Sequence, residues 1–437
     1  MTPEEIAARV SEVTDEVTRR LSDLTAVTGT QTSQEYQALA RRTIRQVLDE
    51  AAGRALAGGR AVLDGRTEEL VARGVLARVC GIGPLQELLD EDEIENINVT
   101  GTAVWVRYAD GQREQRPPIV ASSEELVALV RRIAADSPAG ERRFDPAAPI
   151  LDMPLADGSR LNAIMDVAHE PAVSIRRHRY RTTGLGQLRR LGTLDRTLTD
   201  FLQAAVRARR NVVITGGTGA GKTTLLRALA AEIPASERLV TIEDVPELGL
   251  ERDRQAHPDA VALHARPPNT EGQGEITVAD LVRAALRMSP DRVIVGETRG
   301  SETVPLLTAM SQGNDGSLTT LHAASSDGAF TKLGAYAALS AERLPLEATA
   351  LLVAAAVHLV VHVSATPSGE RRVSSVREVV GCDGTQVVSN EVYRWEGTGP
   401  VPVAPPSPDT ARALSAAGFD TARLIASPGP VNGRVPT

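Results

Sequence analysis

The sequence predicts an α/β protein with a parallel sheet, preceded by an α+β domain and a helical module. Apolar residues recur at helical spacing in residues 1–75, and apolar and polar residues alternate over much of residues 76–178. The remainder alternates strand-length apolar runs with helical patterns. That alternation indicates parallel pairing, because neighbouring parallel strands need a crossover connection between them.

Residues 1–75 are predicted to form a helical module. The segment TPEEIAARVSEVTDEVTRRLSDL places apolar residues at every third or fourth position, which puts one apolar stripe along a helix. Two further helical patterns follow, and the glycine-rich AGGRAVLDGR segment separates them. We expect a packed bundle or docking arm with no catalytic group.

Residues 76–178 are predicted to form an α+β domain. INVTGTAVWVRYADGQRE indicates short strands with a turn at Asp110 and Gly111, SSEELVALVRRIAAD a capped helix, and SRLNAIMDV and AVSIRR further strands. The arginine-rich and glycine-containing residues 179–194 are predicted to be a linker.

Residues 195–400 carry the parallel-sheet pattern. NVVIT, RLVTI, RVIVG and SLTTLH are each of strand length, and helical patterns lie between them. Functional sites of such sheets lie at the carboxyl ends of the strands. A hairpin around Asp383 and Gly384 is predicted near the end of this domain, and the proline-rich residues 401–437 are predicted to act as a spacer.

Composition restricts the class of protein. The formal net charge is −8 and only 3% of residues are aromatic, which argues against a nucleic-acid partner. The sequence has no run of about 18 apolar residues, so we expect a cytoplasmic protein that reaches the inner membrane only through partners. The two cysteines are far apart and predict neither a disulfide framework nor a zinc site.

The segment GGTGAGKTTL fits the phosphate-binding pattern GxxxxGK[ST] between a predicted strand and a predicted helix. Lys222 is one of only two lysines in an arginine-rich chain, and its compact ammonium suits a phosphate loop better than a planar guanidinium does. We expect Lys222 to reach the β and γ phosphates and Thr223 to bind Mg²⁺. The predicted loop comprises Gly216, Gly217, Thr218, Gly219, Ala220, Gly221, Lys222, Thr223 and Thr224.

Carboxylates follow two other predicted strands. Glu297 ends the RVIVGE run and is expected to act on the attacking water or, directly or through water, on the metal ion. Glu243 and Asp244 end the LVTIED run, with Glu247 close behind, and are candidates for orienting water and holding Mg²⁺ indirectly. Each of these carboxylates taken alone could equally be a solvated helix cap.

His322 closes the apolar SLTTL run. A single histidine in such a place is most often a structural hydrogen-bonding residue. At a strand end beside a bound phosphate, however, its imidazole could also sense the γ-phosphate.

These segments resemble a known family. GGTGAGKTTL, VTIEDVPEL, ARPPNTEGQGEIT, LRMSPDRVIVGETRG and GSLTTLHA, in that order and spacing, are similar to the type II/type IV secretion ATPases. Within that family they look most like the tight-adherence (Tad, or Flp) pilus-assembly ATPases of CpaF type. The resemblance extends upstream to GIGPLQELL, DGSRLNAI and SIRR and downstream to about residue 425.

The resemblance implies a PAS-like domain at residues 76–178, followed by a RecA-like ATPase core that uses ATP and Mg²⁺ and assembles as a homo-hexamer. It makes Glu243, Asp244 and Glu247 an Asp box, Gly296 and Glu297 an atypical Walker B motif, and His322 a His box. It also implies that arginines of the preceding domain approach the phosphates. The matching arginines in this sequence are Arg160, Arg176 and Arg177.

The function implied is a motor that hydrolyses ATP and drives an inner-membrane platform protein to assemble or retract a Tad-type pilus. Two alternatives remain open from the sequence. A nucleic-acid-translocating hexamer would need a basic channel with aromatic residues, which the composition disfavours. A nucleotide-dependent switch with little turnover is disfavoured by the two strand-end glutamates.

Overall fold

The computed structural model describes residues 3–28, 33–59, 61–108, 111–135, 143–155, 157–177, 184–266, 268, 272–366, 369–397, 399–401 and 403–425. It divides into two compact units, Met1–His178 and Arg179–Thr437. Within the described residues, none of the helices combines the length and the apolar character needed to cross a bilayer.

The first unit begins with three helices that pack on one another: α1 (Pro3–Thr28), α2 (Ser33–Ala57) and α3 (Gly65–Cys80). Their apolar stripes form a core that includes Val17, Leu21, Ile44 and Val71. Asp64 caps α3 by accepting hydrogen bonds from the backbone N–H groups of Arg66 and Thr67. A bundle at this position agrees with the helical patterns of the sequence.

A six-stranded antiparallel sheet completes the first unit, in the order β3-β2-β1-β6-β5-β4. The strand pairs β1–β2 and β2–β3 follow the sequence prediction, whereas Asp110 of the predicted turn lies outside the described residues. The short helix α4 and the strand β4 were not predicted. The elements are α4 (Leu85–Asp90), β1 (Ile94–Thr100), β2 (Ala103–Tyr108), β3 (Arg113–Arg116), α5 (Ser123–Ala135), β4 (Ile150–Pro154), β5 (Arg160–Ile164) and β6 (Ala172–Arg176).

The second unit is built on a sheet with nine described strands, in the order β15-β14-β13-β12-β7-β11-β10-β8-β9. The six strands from β12 to β9 are parallel, and β13, β14 and β15 add antiparallel pairs at one edge. These strands are β7 (Val212–Gly216), β8 (Leu239–Glu243), β9 (Ala260–His264), β10 (Arg292–Thr298), β11 (Leu318–His322), β12 (Leu359–Ala365), β13 (Arg371–Asp383), β14 (Gln386–Glu396) and β15 (Gly399–Val401).

Helices cover this sheet and bury its apolar strands in two clusters of side chains. The strands β9, β12 and β15 were not predicted, and β12 is important because it pairs with the central strand β7. The helices are α6 (Leu185–Arg190), α7 (Arg196–Arg207), α8 (Lys222–Ala230), α9 (Val278–Ala285), α10 (Thr303–Ser311), α11 (Gly328–Leu339), α12 (Leu346–Ala356), α13 (Pro408–Ala416) and α14 (Ala422–Ile425), with a 3₁₀ turn at Leu250–Arg252.

Two segments differ from their predicted character. Within the expected linker 179–194, residues 179–183 lie outside the described residues, but Leu185 and Leu188 of α6 are buried in the core of the second unit. In the expected spacer 401–437, residues 402 and 426–437 lie outside the described residues, whereas Leu414 and Phe419 are buried in the same core. Both segments were assigned from their glycine and proline content, which is typical of loops and linkers. The few apolar residues that anchor each segment in the core were therefore not recognised in the sequence.

Candidate functional site

Four neighbouring strands end at one edge of the parallel sheet and place the predicted residues together. The register sets Gly216 of β7 opposite His322 of β11. On the far side of β11, β10 carries Glu297, and β8 beyond it ends at Glu243. These residues therefore lie together at one edge of the sheet, where the strand-end rule places candidate site residues.

The phosphate loop connects β7 to α8. A side chain at Gly216 would collide with the carbonyl oxygen of Val363 on β12, so this position requires glycine. Gly221 has φ of 98°, a left-handed conformation that glycine adopts without strain. α8 then begins at Lys222 without a side-chain cap. Its first N–H groups therefore offer an anion site, supported by the helix dipole.

Lys222 is buried, and its ammonium group folds back over the loop. Nζ donates hydrogen bonds to the carbonyl oxygens of Gly216, at 3.2 Å, and Gly217, at 3.0 Å. The same atom lies 3.2 Å from Nδ1 of His322. Gly217, Thr218 and Gly219 are exposed, so the loop is open to a ligand. These features fit a bound nucleotide phosphate chain.

His322 lies between Lys222 and Glu297. Burial and then the positive charge of Lys222 lower the pKa of His322, while Glu297 acts in the opposite direction. Nε2 of His322 lies 2.9 Å from Oε1 of Glu297. The imidazole is thus neutral near pH 7 and in contact with groups of both signs.

Glu297 has two different carboxylate oxygens. Oε2 accepts a hydrogen bond of 2.6 Å from Arg299 Nη2, and this bond is the main reason that the pKa of Arg299 is raised. Oε1 is buried and, despite its closeness to His322, accepts no aligned hydrogen bond from the described residues. Buried carboxylate oxygens are normally satisfied, so Oε1 has an acceptor site suited to a water molecule.

Arg299 is a site residue that the sequence reasoning missed. Besides its bond to Glu297, it places Nη1 3.9 Å from Oδ2 of Asp244. Glu302 holds the backbone of this turn by accepting hydrogen bonds from the N–H groups of Arg299 and Gly300. A sequence signal was present, because Arg299 lies only two residues after Glu297 and directly follows the last residue of β10.

Glu243 occupies a different environment from the one expected. It is 6% exposed, and it accepts hydrogen bonds of 3.0 Å from the backbone N–H groups of Glu247 and Leu248. Burial raises its pKa to about 8. A Cβ at Gly296 on the neighbouring strand would lie 2.9 Å from Cγ of Glu243, so this glycine makes room for the carboxyl group.

The structure therefore connects its site residues in a chain of contacts that runs from Lys222 through His322, Glu297 and Arg299 to Asp244. Glu243, in contrast, holds the backbone of residues 247–248. Glu247 donates its backbone N–H to Oε1 of Glu243, and Thr223 lies half-buried in the first turn of α8. In the described residues, no group of three histidine, cysteine, aspartate or glutamate side chains is arranged to hold a metal ion. Mg²⁺ typically takes only one or two protein ligands beside substrate phosphates and water.

The three predicted arginines belong to the first unit. Arg160 on β5 pairs directly with Arg176 on β6, and Arg160 Nη2 lies 3.7 Å from Oδ1 of Asp152. Arg177 is largely buried and donates hydrogen bonds from Nη1 to the backbone oxygens of Glu91 and Ile94. Arg177 thus has partners within its own unit, and Arg176 is exposed.

The fold and the site define a P-loop nucleotide-binding domain on a mixed, mainly parallel sheet. The model of the type II/IV secretion system protein family matches residues 97–394, and the chain belongs to that family. The resemblance found in the sequence is confirmed at this level.

Individual relatives are similar to different extents. A putative conjugal transfer protein of Mycobacterium tuberculosis is 36% identical over 332 residues, covering 73% of this chain and 91% of the relative. The type IV secretion system protein VirB11 of Brucella abortus is 40% identical over 166 residues, covering 37% of this chain and 45% of the relative. The solved structure of the VirB11 ATPase from the Brucella suis type IV secretion system, in complex with sulphate, has a TM-score of 0.37 and 28% identity, over 68% of this chain and 95% of that chain.

Proposed function

We propose that this protein is an ATPase that couples ATP hydrolysis to mechanical work in a Tad-type pilus or a related secretion system. One observation carries the proposal: Lys222 in an open phosphate loop lies 3.2 Å from His322, which lies 2.9 Å from Glu297. A phosphate-binding cation and a carboxylate with a buried, unfilled acceptor oxygen are thereby held in one cluster.

The phosphate loop would bind the nucleotide. Backbone N–H groups at the start of α8 would hold the phosphates, Lys222 would exchange its carbonyl partners for phosphate oxygens, and Thr223 would give its hydroxyl to Mg²⁺. When bound, Mg²⁺ neutralises charge that develops on the phosphates. The donor set suits this group, because a hydroxyl and a carboxylate are hard oxygen ligands.

Glu297 would orient the attacking water through Oε1 and contribute to the metal site through water. Arg299 fixes the direction of the carboxylate by the hydrogen bond to Oε2. His322 contacts both Lys222 and Glu297 and would therefore respond when a γ-phosphate displaces the ammonium group.

Glu243 would act as a positioning residue and not as the water-orienting group first expected. Its raised pKa keeps it largely protonated at neutral pH, and its carboxyl group holds the backbone of residues 247–248. Asp244, whose side chain is exposed and faces Arg299, is the better placed acid of that segment for a water-mediated contact with Mg²⁺. Glu247 would contribute through its backbone N–H, which donates a hydrogen bond to Glu243.

Arg160 and Arg176 would stabilise phosphate charge. Like charges directly opposite each other on neighbouring strands are unfavourable, and an anion relieves that repulsion. Arg177 would have a structural role, because backbone oxygens already accept its hydrogen bonds. In phosphoryl transfer such arginines are supplied from the same chain or from a neighbour.

The assembly, the location and the domain types of the protein are inferred from the motifs that resemble the Tad pilus-assembly ATPases. We propose a homo-hexamer that is cytoplasmic and attached to the inner membrane through a platform protein, with a RecA-like core and a PAS-like preceding domain. The antiparallel sheet of the first unit supports the PAS-like assignment. Relatives named as secretion proteins support the class of system in which the motor would act.

The test is steady-state ATP hydrolysis by the purified full-length protein, with the particle mass measured by light scattering. Lys222→Ala should abolish nucleotide binding and turnover. Arg287→Ala removes an exposed cation that precedes the amino-terminal end of β10 and should leave both unchanged. Equal turnover in wild type and Lys222→Ala would refute the assignment of the site. If the wild-type protein binds ATP but does not hydrolyse it, a nucleotide-dependent switch is favoured over a motor.

Nucleic-acid translocation is the second candidate, because one relative is named a conjugal transfer protein. The net charge of −8 counts against it. Filter binding with single-stranded DNA distinguishes the two: affinity that falls steeply with salt would favour the alternative, and absence of binding would favour the pilus or secretion motor.

A further inference from the structure

We propose that Arg371 is a nucleotide-binding residue that contacts the part of the nucleotide shared by ATP and ADP. The inference deepens the proposed function and rests on it. It concerns the side of the phosphate loop opposite to His322 and Glu297.

The strand order brings Arg371 to this side. β7 pairs with β11 on one side and with β12 on the other, and Gly216 lies opposite Val363 of β12. β12 then turns into β13, where Arg371 pairs with Ala365, two residues beyond Val363. The hairpin therefore extends past the carboxyl end of β7, where the phosphate loop begins.

The side chain of Arg371 lies on the face of the sheet that α8 covers. Val373, two residues further on, is buried in the same cluster as Leu225 and Leu226 of α8. Residues two apart on a strand share a face. Cδ of Arg371 lies 3.3 Å from the position that a Cβ on Gly221 would occupy. The aliphatic stem therefore packs against the last glycine of the loop, immediately before α8.

The guanidinium group of Arg371 makes no hydrogen bond or ion pair with the described residues, and the side chain is exposed. The next residue, Arg372, does have partners. Its Cζ lies 4.2 Å from the ring centroid of Trp395, and its Nη2 lies 3.5 Å from Oε2 of Glu370. An arginine whose stem contacts a phosphate loop while its head remains unpaired is suited to an anionic ligand, because guanidinium binds phosphate through several donors.

The position also predicts which part of the nucleotide is contacted. His322, Glu297 and Arg299 lie on the β11 and β10 side, where the terminal phosphate and the attacking water are proposed. Arg371 lies on the β12 and β13 side of the same loop. A contact there involves the inner phosphates or the ribose, which ADP retains.

Binding of ATP and ADP is measured by isothermal titration calorimetry with Mg²⁺ for wild type, Arg371→Ala, Arg371→Lys and Arg287→Ala. Loss of one charged hydrogen bond should raise the Kd of both nucleotides roughly tenfold or more in Arg371→Ala. Arg371→Lys should recover part of the affinity. Arg287 is also exposed and precedes the amino-terminal end of β10, whereas the phosphate loop follows the carboxyl end of β7. It serves as the matched control, and Arg287→Ala should change neither Kd.

Each outcome bears on the inference. An equal loss for ATP and ADP, with an unchanged melting temperature of the nucleotide-free variant, supports it. Wild-type Kd values in Arg371→Ala, beside loss of binding in Lys222→Ala, would overturn it and leave the proposed function intact. A loss confined to ATP would overturn the assigned position. If wild type binds neither nucleotide, the proposed function and this inference both fail.

Discussion

Glu243 and Glu297 both follow buried apolar runs, at the carboxyl ends of the neighbouring strands β8 and β10, but their surroundings differ. Glu243 is enclosed, accepts backbone N–H groups and has its pKa raised to about 8 by burial. Glu297 faces Arg299 and His322 and keeps one acceptor oxygen unfilled. Two glutamates with the same local pattern thus lie in different physical environments, and the roles proposed for them differ accordingly: a structural one for Glu243 and a chemical one for Glu297.

The largest expected effect is on catalysis at Glu297. Glu297→Gln retains an oxygen that can accept the hydrogen bond from Arg299. It loses the negative charge that would orient the attacking water and accept its proton. We expect kcat to fall about a hundredfold or more, while the Kd for ATP stays within about threefold. Rapid-quench and binding measurements separate the two quantities. Glu347→Gln, at an exposed glutamate of α12, is the control for loss of charge. A kcat reduced less than fivefold would contradict the proposed role.

Gly296 makes room for the enclosed carboxyl group of Glu243. In Gly296→Ala the new methyl group would lie 2.9 Å from Cγ of Glu243, and overpacking of this kind costs about 1–3 kcal/mol. Gly300→Ala is the matched control, because no atom lies within 4 Å of the added Cβ. Urea unfolding is followed by Trp395 fluorescence in a Trp105→Phe background, so that the signal reports the second unit. Equal midpoints for the two variants would contradict the close packing.

The pH dependence of stability distinguishes Glu243 further. Its folded-state pKa of about 8 exceeds the ordinary value of 4.5, so the folded protein holds a proton that the unfolded chain releases. The stabilisation is complete below about pH 4.5 and is lost as pH rises toward 8, by up to about 1.4 kcal/mol per pH unit.

Glu243→Gln cannot release that proton, so the free energy of unfolding of wild type should decline relative to the variant between pH 5.5 and 7.5, a range within the window set by these two values. The same urea assay at several pH values measures the difference. Parallel curves for the two proteins would show that Glu243 is ionised in the folded state.

The parts of the candidate site that could be predicted from the sequence are those that depend on a local motif or on the end of a single strand. The phosphate loop depends on glycines and a lysine at fixed spacing, and Glu297 and His322 follow from the rule that parallel strands present their carboxyl ends at one edge. The α/β class and most strands followed from periodicity alone.

The remaining features depend on contacts between distant segments. The enclosure of Glu243 is created by Gly296, which lies 53 positions later in the printed sequence on a neighbouring strand. The position of Arg371 depends on β12, which was not predicted, and on its pairing with β7 and β13. Local patterns contain no information about such register, so the second side of the phosphate loop could not be derived from them.

The smallest expected effect, a pair of opposite pKa shifts, tests the contact between the two sides of the catalytic cluster. Lys222 lowers the pKa of His322 and Glu297 raises it. The pKa of His322 should therefore rise in Lys222→Ala and fall in Glu297→Gln. NMR titration of the ring Hε1 signal, assigned with His322→Asn, measures both shifts. Because the two substitutions remove charges of opposite sign from the same imidazole, shifts in the same direction would mean that His322 does not lie between them.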